Sequence, residues 1–205
     1  MRKNRKIISF LSLLTIFLVL GGCTSSRHLE PSSYLLDLKL VQPIKLPKKY
    51  WGKIAIDADT SLTSYRGSNF LYRVGKGSGQ YLIDYYNVFL VDPTTQLETA
   101  LKNHLKSNSQ STKTIEGYKL QFAILELYVD YRCRAKPQAV SSIRFILTST
   151  GQADFGKVIF DEIYVSKVLL TKNNHGTIVN AFSDGLKNIL EQALGKIGAK
   201  FSYRK

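Results

Sequence analysis

Residues 119–132 constrain the fold more than any other stretch, because apolar side chains occupy both odd and even positions there. Alternate residues of a strand point to opposite faces of its sheet, so a half-buried strand is apolar only at every second position. This run would place Leu120, Phe122 and Ile124 on one face and Ala123, Leu125, Leu127 and Val129 on the other. Both faces would then be covered, and we expect this strand at the centre of a sheet.

Shorter runs on either side have the period of two that is typical of half-buried strands. Those before the central strand are residues 34–38, 53–58, 70–74 and 80–86, and those after it are residues 139–148 and 157–171. Three glycines between residues 74 and 80 predict a hairpin, and a glycine-flanked turn at residues 151–156 should divide the last two strands.

Two stretches have the spacing of amphipathic helices. In the first, Leu97, Leu101 and Leu105 recur every fourth residue after Asp92 and Pro93, which suit the N-cap and the first helical position, and we expect this helix to end near residue 107. The second runs from about residue 174 to residue 201, with an apolar stripe at Ile178, Phe182, Leu186, Ile189, Ala193, Ile197 and Phe201. The pattern predicts an α+β fold, a mostly antiparallel (mixed) sheet with both amphipathic helices packed on one face.

The first 23 residues have the organisation of a bacterial lipoprotein signal. Four basic residues precede an apolar run at residues 7–20, and Gly21 and Gly22 lead to Cys23. The run is shorter than the about 20 residues that span a bilayer, so we expect residues 1–22 to be removed as a signal peptide. Cys23 would then carry the lipid, palmitate included; the alternative is an ordinary signal peptide with an incidental cysteine.

The signal sets the domain organisation, with a signal peptide at 1–22, a lipidated tether at 23–33 and a single α+β domain at 34–205. Four of the 29 basic residues and none of the 15 acidic ones lie in residues 1–22, so the remaining chain has a formal charge of +10. In an exported protein this charge favours anionic headgroups or lipopolysaccharide, not nucleic acid. Because the basic residues are spread along the chain, a basic surface with no specific anion partner is an equal alternative.

The sequence shows no constellation of catalytic or metal-binding residues. No histidine has a potential ligand three or four residues away, so spacing predicts no metal site for His28, His104 or His175. Asp84 has no second convergent group, and we interpret it as solvent-facing or ion-paired. Cys133 has no intrachain partner if Cys23 is acylated; it is interpreted as a small side chain at a strand end, with a reactive thiol as the alternative. We therefore expect neither an enzyme nor a cofactor beyond the covalent lipid.

Several short segments carry a family resemblance. They are residues 64–73 (SYRGSNFLYR), residues 84–93 (DYYNVFLVDP), residues 128–131 (YVDY), and Ala139-Val140 leading into Arg144-Phe145. In this order and spacing, with the lipidation signal and the closing helix, the chain resembles the ABC-type transport auxiliary lipoprotein family, which includes the auxiliary lipoprotein of the Pqi lipid-transport system. It departs from that pattern in the polar loop at residues 108–114 and in the basic residues at 132–134.

The resemblance implies a non-enzymatic accessory lipoprotein of an ABC-type lipid or solvent-tolerance transport system. Such systems contain a periplasmic protein with mammalian-cell-entry (MCE) domains, and the accessory protein would act by binding it. The resemblance also implies the periplasmic face of the outer membrane, with the inner membrane as the less favoured alternative. Thr24 after Cys23 is compatible with this, since Asp at that position typically retains such lipoproteins at the inner membrane. Self-association stays open.

The candidate partner interface is a set of aromatic and polar residues from the resembling segments. Tyr and Arg are frequent interface anchors because they combine a large contact area with a polar tip. The members are Tyr72, Arg73, Tyr85, Tyr86, Asn87 and Phe89. The alternative is that Tyr72, Tyr85 and Phe89 fill the core of the sheet by strand alternation.

Two further functional hypotheses belong to other classes. The first is a structural envelope lipoprotein that binds lipopolysaccharide or another anionic polymer and has no transporter. The second is an envelope hydrolase whose site is not evident from the residues. A concave pocket with convergent titratable groups would favour the hydrolase.

Overall fold

The computed structural model describes residues 31–40, 53–61, 65, 67–75, 79–105 and 117–202. The predicted signal peptide, Cys23, His28 and the tether as far as residue 30 lie outside these residues. So do the polar loop at 108–114 and residues 64 and 66 of the first resembling segment. The described residues belong to one compact unit that begins at Pro31.

Seven strands of the described residues form one mixed sheet. They are β1 (Ser32–Tyr34), β2 (Ile54–Ala58), β3 (Asn69–Val74), β4 (Gln80–Phe89), β5 (Tyr118–Asp130), β6 (Gln138–Ser149) and β7 (Val158–Leu169). The order is β1-β4-β3-β5-β6-β7, with β2 also beside β5. The three hairpin pairs, β3–β4, β5–β6 and β6–β7, are antiparallel, whereas β1–β4, β2–β5 and β3–β5 are parallel.

The strand predicted to be central, β5, has neighbours on both edges. It pairs along its whole length with β6, and on its other edge with β2 near its start and β3 near its end. The predicted division of its faces is wrong beyond Ile124, because a bulge at Leu125 shifts the register. An extra residue reverses the alternation. Leu127 and Val129 therefore share the core with Leu120, Phe122 and Ile124, whereas Ala123 is buried on the opposite face.

Two helices cover one face of the sheet, which confirms the predicted fold class. Helix α1 (Pro93–Leu105) begins at the predicted cap, because the Asp92 carboxylate accepts a 2.8 Å hydrogen bond from the backbone N–H of Thr94. Helix α2 (His175–Ser202) is capped by Asn174, whose side-chain oxygen accepts a 2.8 Å hydrogen bond from the N–H of Thr177. Neither helix combines the length and apolar character needed to cross a bilayer.

The apolar stripes of both helices pack against the sheet in one core. All seven predicted stripe residues of α2 are buried, and so are Leu97, Leu101 and Leu105 of α1. Each fully buried side chain of this size contributes about 1.5–3 kcal/mol relative to an exposed one. The 3.6-residue periodicity of the sequence thus fixes which side of each helix meets the sheet.

Of residues 34–38, predicted to be a strand, only Tyr34 belongs to β1, and residues 35–38 continue beyond it without joining the sheet. The side chains of Leu36 and Leu38 are buried in the hydrophobic core. The N–H of Leu36 donates to the side-chain oxygen of Gln96 at 2.8 Å, and the N–H of Asp37 donates to the Ser183 hydroxyl at 3.0 Å. The alternation in this segment therefore reflects packing on helices, since side chains and not a neighbouring strand satisfy its backbone.

Helix α2 lies close to the sheet at Gly185. A Cβ atom at this position would lie 3.3 Å from the hydroxyl oxygen of Ser166 on β7 and 3.5 Å from that of Ser141 on β6. Gly195 lies further along the same helix, and a Cβ atom added there would have no atom within 4 Å. These two of the four glycines of α2 therefore differ in how closely the sheet approaches them.

Replacing each glycine by alanine should separate helix propensity from packing. Gly195→Ala should raise the free energy of unfolding by about 0.5–1 kcal/mol, because alanine restricts the unfolded chain and favours helix. Gly185→Ala should gain less or lose stability, and Gly185→Val should be clearly destabilising. Urea unfolding followed by circular dichroism measures the three differences; equal gains for the two alanine variants would contradict the close approach.

Candidate partner-binding site on strand β4

A large irregularity in β4 separates two regular stretches of the β3–β4 hairpin. Phe70 lies opposite Asp84, but the preceding residue, Asn69, lies opposite Val88. Residues 85–87 therefore have no partner on β3 and form a bulge. The short strand β1 joins β4 at this point, with Ser32 opposite Asn87.

The Asp84 carboxylate organises this bulge. One oxygen accepts hydrogen bonds from the backbone N–H groups of Tyr86 at 2.9 Å and Asn87 at 3.0 Å. The other accepts from the Asn87 side-chain amide and from the Tyr72 hydroxyl, both at 2.8 Å. The side-chain amide of Asn69 also donates to the Asp84 carbonyl at 3.0 Å. A single carboxylate thus satisfies the donors that an irregular strand would otherwise leave unpaired.

These contacts set the ionisation of the site. Burial raises the pKa of Asp84, but the hydrogen bonds from Asn87, Tyr86 and Tyr72 outweigh it and hold this pKa below its usual value. Burial, followed by the bond to Asp84, raises the pKa of Tyr72. Asp84 therefore stays ionised and Tyr72 stays a neutral donor at physiological pH. The sequence-based interpretation of Asp84 as solvent-facing or ion-paired is wrong in its first part, because only 12% of the side chain is exposed.

The start of α2 packs against this site. The Nε2 atom of His175 lies 3.7 Å from the Asp84 carboxylate, and the His175 ring lies about 6 Å from the rings of Tyr34 and Phe70. Tyr72 also contacts the ring of Tyr131 edge-to-face at 5.7 Å. The bulge is therefore held by β1, by β3 and by the first turn of α2.

Exposed apolar side chains lie at the bulge and before it along β4, on both faces of the strand. We name as the β4 surface its most exposed large residues, which are Tyr81, Leu82, Ile83, Tyr85 and Tyr86. Tyr85 and Tyr86, at the bulge itself, are 71% and 53% exposed. Aromatic residues held on a rigid backbone are typical of protein-binding surfaces, because little side-chain entropy is lost when they are covered.

Arg73 lies on the other face of the sheet, away from the helices. Its guanidinium carbon is 5.9 Å from the centre of the Tyr81 ring and 5.8 Å from that of Tyr128, and Nη1 donates to the Tyr128 hydroxyl at 3.2 Å. The two rings meet edge-to-face at 5.3 Å. Cation–π contacts of this kind contribute about 0.5–2 kcal/mol and fix the position of the Tyr81 ring.

The structure brings together only part of the candidate interface predicted from sequence. Tyr85, Tyr86 and Asn87 share the bulge, and Tyr72 supports it from below through Asp84. The alternative is that strand alternation buries Phe89 and Tyr85 in the core of the sheet. Phe89 is 2% exposed and does lie in the core, whereas Tyr85 is highly exposed and does not. Sequence analysis missed Tyr81 and the organising role of Asp84; the spacing Asp84-x-x-Asn87 is the signal of an Asx-type turn that could have indicated it.

A groove of about 750 Å³ lies between residues 35–40 and α1. Its walls are mostly apolar, formed by Leu35, Leu36, Leu38, Leu40, Val91 and Ala100, with Gln96, Asn103 and His104 among the polar residues. Asp37 at its side is ion-paired with Lys187 at 3.0 Å. The groove has the dimensions of a ligand pocket.

The remaining candidate residues lie apart from this site. Cys133, predicted to be a small side chain at a strand end, is exposed in the turn between β5 and β6, three residues after the last residue of β5. Within the part of the chain that the structure describes, no group of three or more His, Cys, Asp or Glu could hold a metal ion.

Comparison with known proteins shows the fold. No family model matches the chain, and no curated protein matches it. Protein XCC0632 from Xanthomonas campestris, described as family DUF330, superimposes with a TM-score of 0.61 at 13% identity, over 83% of this chain and 97% of that one. The two chains therefore share a fold.

Two other solved structures are more distant. A candidate lipoprotein from Caulobacter crescentus gives a TM-score of 0.41 at 12% identity, over 75% of this chain and 90% of that one. Lipoprotein GNA1162 from Neisseria meningitidis gives 0.27 at 11% identity, over 56% and 76%. Similarity at this level supports no argument about the present chain.

Replacing Asp84 by asparagine should lower the free energy of unfolding at pH 7 by about 1–3 kcal/mol, because one oxygen that accepts two hydrogen bonds becomes an amide donor. The folded pKa lies below the unfolded value of about 3.9, so the carboxylate stabilises the fold above that pH and loses its effect as the pH falls through the folded pKa. The difference between wild type and Asp84→Asn should therefore shrink from pH 7 to pH 3.

Denaturant unfolding at the two pH values measures this change. Asp154→Asn removes an exposed carboxylate that is paired with Lys157 at 3.3 Å, and it serves as the matched control. It should alter stability by less than about 1 kcal/mol at either pH. A difference for Asp84→Asn that is independent of pH would show that the carboxylate is not the organising group.

Proposed function

We propose that this chain is a lipid-anchored accessory protein of an ABC-type lipid-transport system, and that it binds the periplasmic MCE-domain component through the β4 surface. The anchor would be Cys23, on the periplasmic face of the outer membrane. The observation that carries the proposal is the exposed aromatic bulge at Tyr85 and Tyr86, because its backbone is held by hydrogen bonds and neither of the two described helices covers these rings.

The position of the bulge in the chain supports the proposal. Ser32 lies opposite Asn87, so the chain arriving from the predicted tether meets the sheet at the bulge. The stretch from Cys23 to Ser32 spans at most about 30 Å, even when fully extended. With Cys23 acylated, the β4 surface would therefore stay close to the membrane, where the far end of a periplasm-spanning partner would arrive.

The construction of the surface also fits a binding role. Asp84 fixes the backbone of the bulge with two N–H bonds, and the Arg73–Tyr128 pair fixes the neighbouring ring of Tyr81. A preorganised surface loses little conformational freedom when a partner covers it, so more of the contact energy appears as affinity. Solvent-exposed aromatics with no such role would be a solubility cost.

A second candidate function rests on a basic turn that follows the C-terminal end of β5. Arg134 and Lys136 lie in the β5–β6 turn, and Lys172 follows β7 nearby, since the Leu170 N–H donates to the Pro137 carbonyl at 2.9 Å. Such a cluster could attract lipopolysaccharide phosphates. This alternative, a structural envelope lipoprotein, leaves the β4 surface without a role, and we therefore place it second.

The double variant Tyr85→Ala/Tyr86→Ala should lose capture of the MCE-domain protein, at least tenfold in apparent affinity, because two exposed anchors of an interface are removed. The measurement is a pull-down and a titration with the purified partner. Phe155→Ala removes a side chain that is 79% exposed in the turn before β7, and it is the matched control. Undiminished capture by a folded double variant would refute the proposed surface.

Lipidation is tested independently of the partner. Bacteria that produce the chain in the presence of labelled palmitate should incorporate the label into wild type and Cys133→Ser but not into Cys23→Ser, because only the Cys23 thiol would form the thioether. Membrane fractionation should move Cys23→Ser from the membrane to the soluble periplasm. Label retained on Cys23→Ser would exclude Cys23 as the anchor.

A further inference from the structure

The outer edge of β7 is a long strand edge with no neighbour among the described residues. β7 ends the strand order, and it pairs only with β6, from Val158 to Leu169. Ile163, Val165 and Leu169 are more than half exposed on the face away from the helices. Proteins usually blunt such an edge with proline, with short length or with bulges. β7 has no proline, and its one irregularity lies near Ile159, before the regular ladder.

The direction of the free backbone groups follows from the pairing with β6. The Leu170 N–H donates to the Pro137 carbonyl, and the register pairs Val168 with Ala139 and Ser166 with Ser141. In an antiparallel ladder, alternate residues bond to the neighbour. Even-numbered residues therefore bond to β6, and residues 161, 163, 165 and 167 direct their N–H and C=O groups outward.

The sequence of this edge is symmetric about Tyr164. Ile163 and Val165 flank it directly, and Asp161 and Lys167, which have opposite charges, flank those two residues at equal distances. An antiparallel pairing of two identical strands about Tyr164 would place Ile163 opposite Val165 and Asp161 opposite Lys167. Directly opposed residues lie on the same face of the sheet, so the apolar residues would cover each other and the charges would attract.

We propose that a second copy of this chain pairs with the first along β7, antiparallel, with the two-fold axis at Tyr164. The register sets odd-numbered residues opposite odd-numbered residues, which is the arrangement that lets the outward N–H and C=O groups bond to each other. The interface is isologous, so it closes at two chains and joins the two sheets into one.

The helices permit this pairing. Gly185 places α2 above the boundary between β6 and β7, because a Cβ atom added there would lie 3.3 Å from the Ser166 hydroxyl oxygen and 3.5 Å from that of Ser141. Strands are about 4.8 Å apart, so the α2 helices of the two copies would lie about 10 Å apart, the ordinary spacing of packed helices. Lys196 lies over the Tyr164 ring and pairs with Glu162 at 2.7 Å, so the helix side near the axis has balanced charge.

Disulfide trapping tests the register in the full-length chain, purified in detergent with Cys133→Ser as background. Ile163→Cys and Val165→Cys chains should cross-link under mild oxidation when mixed, because opposed residues have Cα atoms about 5.5 Å apart. Neither variant alone should cross-link efficiently. Residue 163 of one copy lies diagonally across from residue 163 of the other, and the distance between their Cα atoms exceeds the limit of about 7 Å for a disulfide. Cross-linking of either variant alone to the level of the mixture would overturn the register.

A second measurement is the molar mass of the protein within its complex with detergent, which gives the number of chains. Wild type should contain two chains, and Val165→Pro should contain one, because proline removes an outward N–H that the fold does not use and is tolerated on strand edges. Val158→Pro, at the first position of the strand and outside the symmetric segment, should retain two chains. A single chain for wild type, or an assembly of more than two, would overturn the proposal; circular dichroism verifies that each variant is folded.

Discussion

The hydrogen bonding of β5 is the constraint on which the rest of the structure depends. This strand is the only described one that holds three neighbours, with β6 along one edge and β2 and β3 in succession along the other. Its bulge at Leu125 reverses the direction of the side chains, so apolar residues from both halves reach the same helices. Without the bulge, Leu127 and Val129 would face away from the core. One extra residue thus lets a 13-residue strand serve a single core.

The β4 site shows how a second irregularity is stabilised by different means. At Leu125 one unpaired residue is flanked on both sides by the regular β5–β6 ladder, whereas residues 85–87 are held by the carboxylate of Asp84. The site therefore combines a buried charge with exposed aromatic rings a residue or two away. Rigid backbone beneath exposed apolar side chains is the combination that a binding surface needs and that a stable core does not.

Periodicity predicted much of the fold, because burial repeats every second residue in strands and every third or fourth in helices. The central place of residues 119–132, the hairpin after Val74, the Asp92 cap and the α2 stripe all follow from it. Bulges do not follow, since a single extra residue leaves the local composition unchanged. Residues 35–38 alternate like a strand but pack on helices, a distinction that depends on Gln96 and Ser183, far away in sequence.

The candidate site was predictable in composition but not in arrangement. Tyr85 and Tyr86 stand out in the sequence, yet the assignment of Arg73 to the opposite face and of Phe89 to the core depends on register. Strand alternation fails where a bulge intervenes, so no count along residues 80–89 could separate exposed from buried rings. The sequence shows Asp84 as a carboxylate next to two tyrosines. Its hydrogen bond with Tyr72 depends on the pairing of β3 with β4, which the sequence does not specify.

The junction between β1 and β4 has a mechanical consequence. β1 is three residues long, and the chain that leaves it is clamped at once by Gln96 of α1 and Ser183 of α2. A force applied to the chain before Ser32 would therefore load β1 first and both helices next. The remaining strands of the sheet would be strained last. Because β1 pairs with β4 directly beside the bulge, a pull on the N-terminal end would act first on a support of the exposed tyrosines.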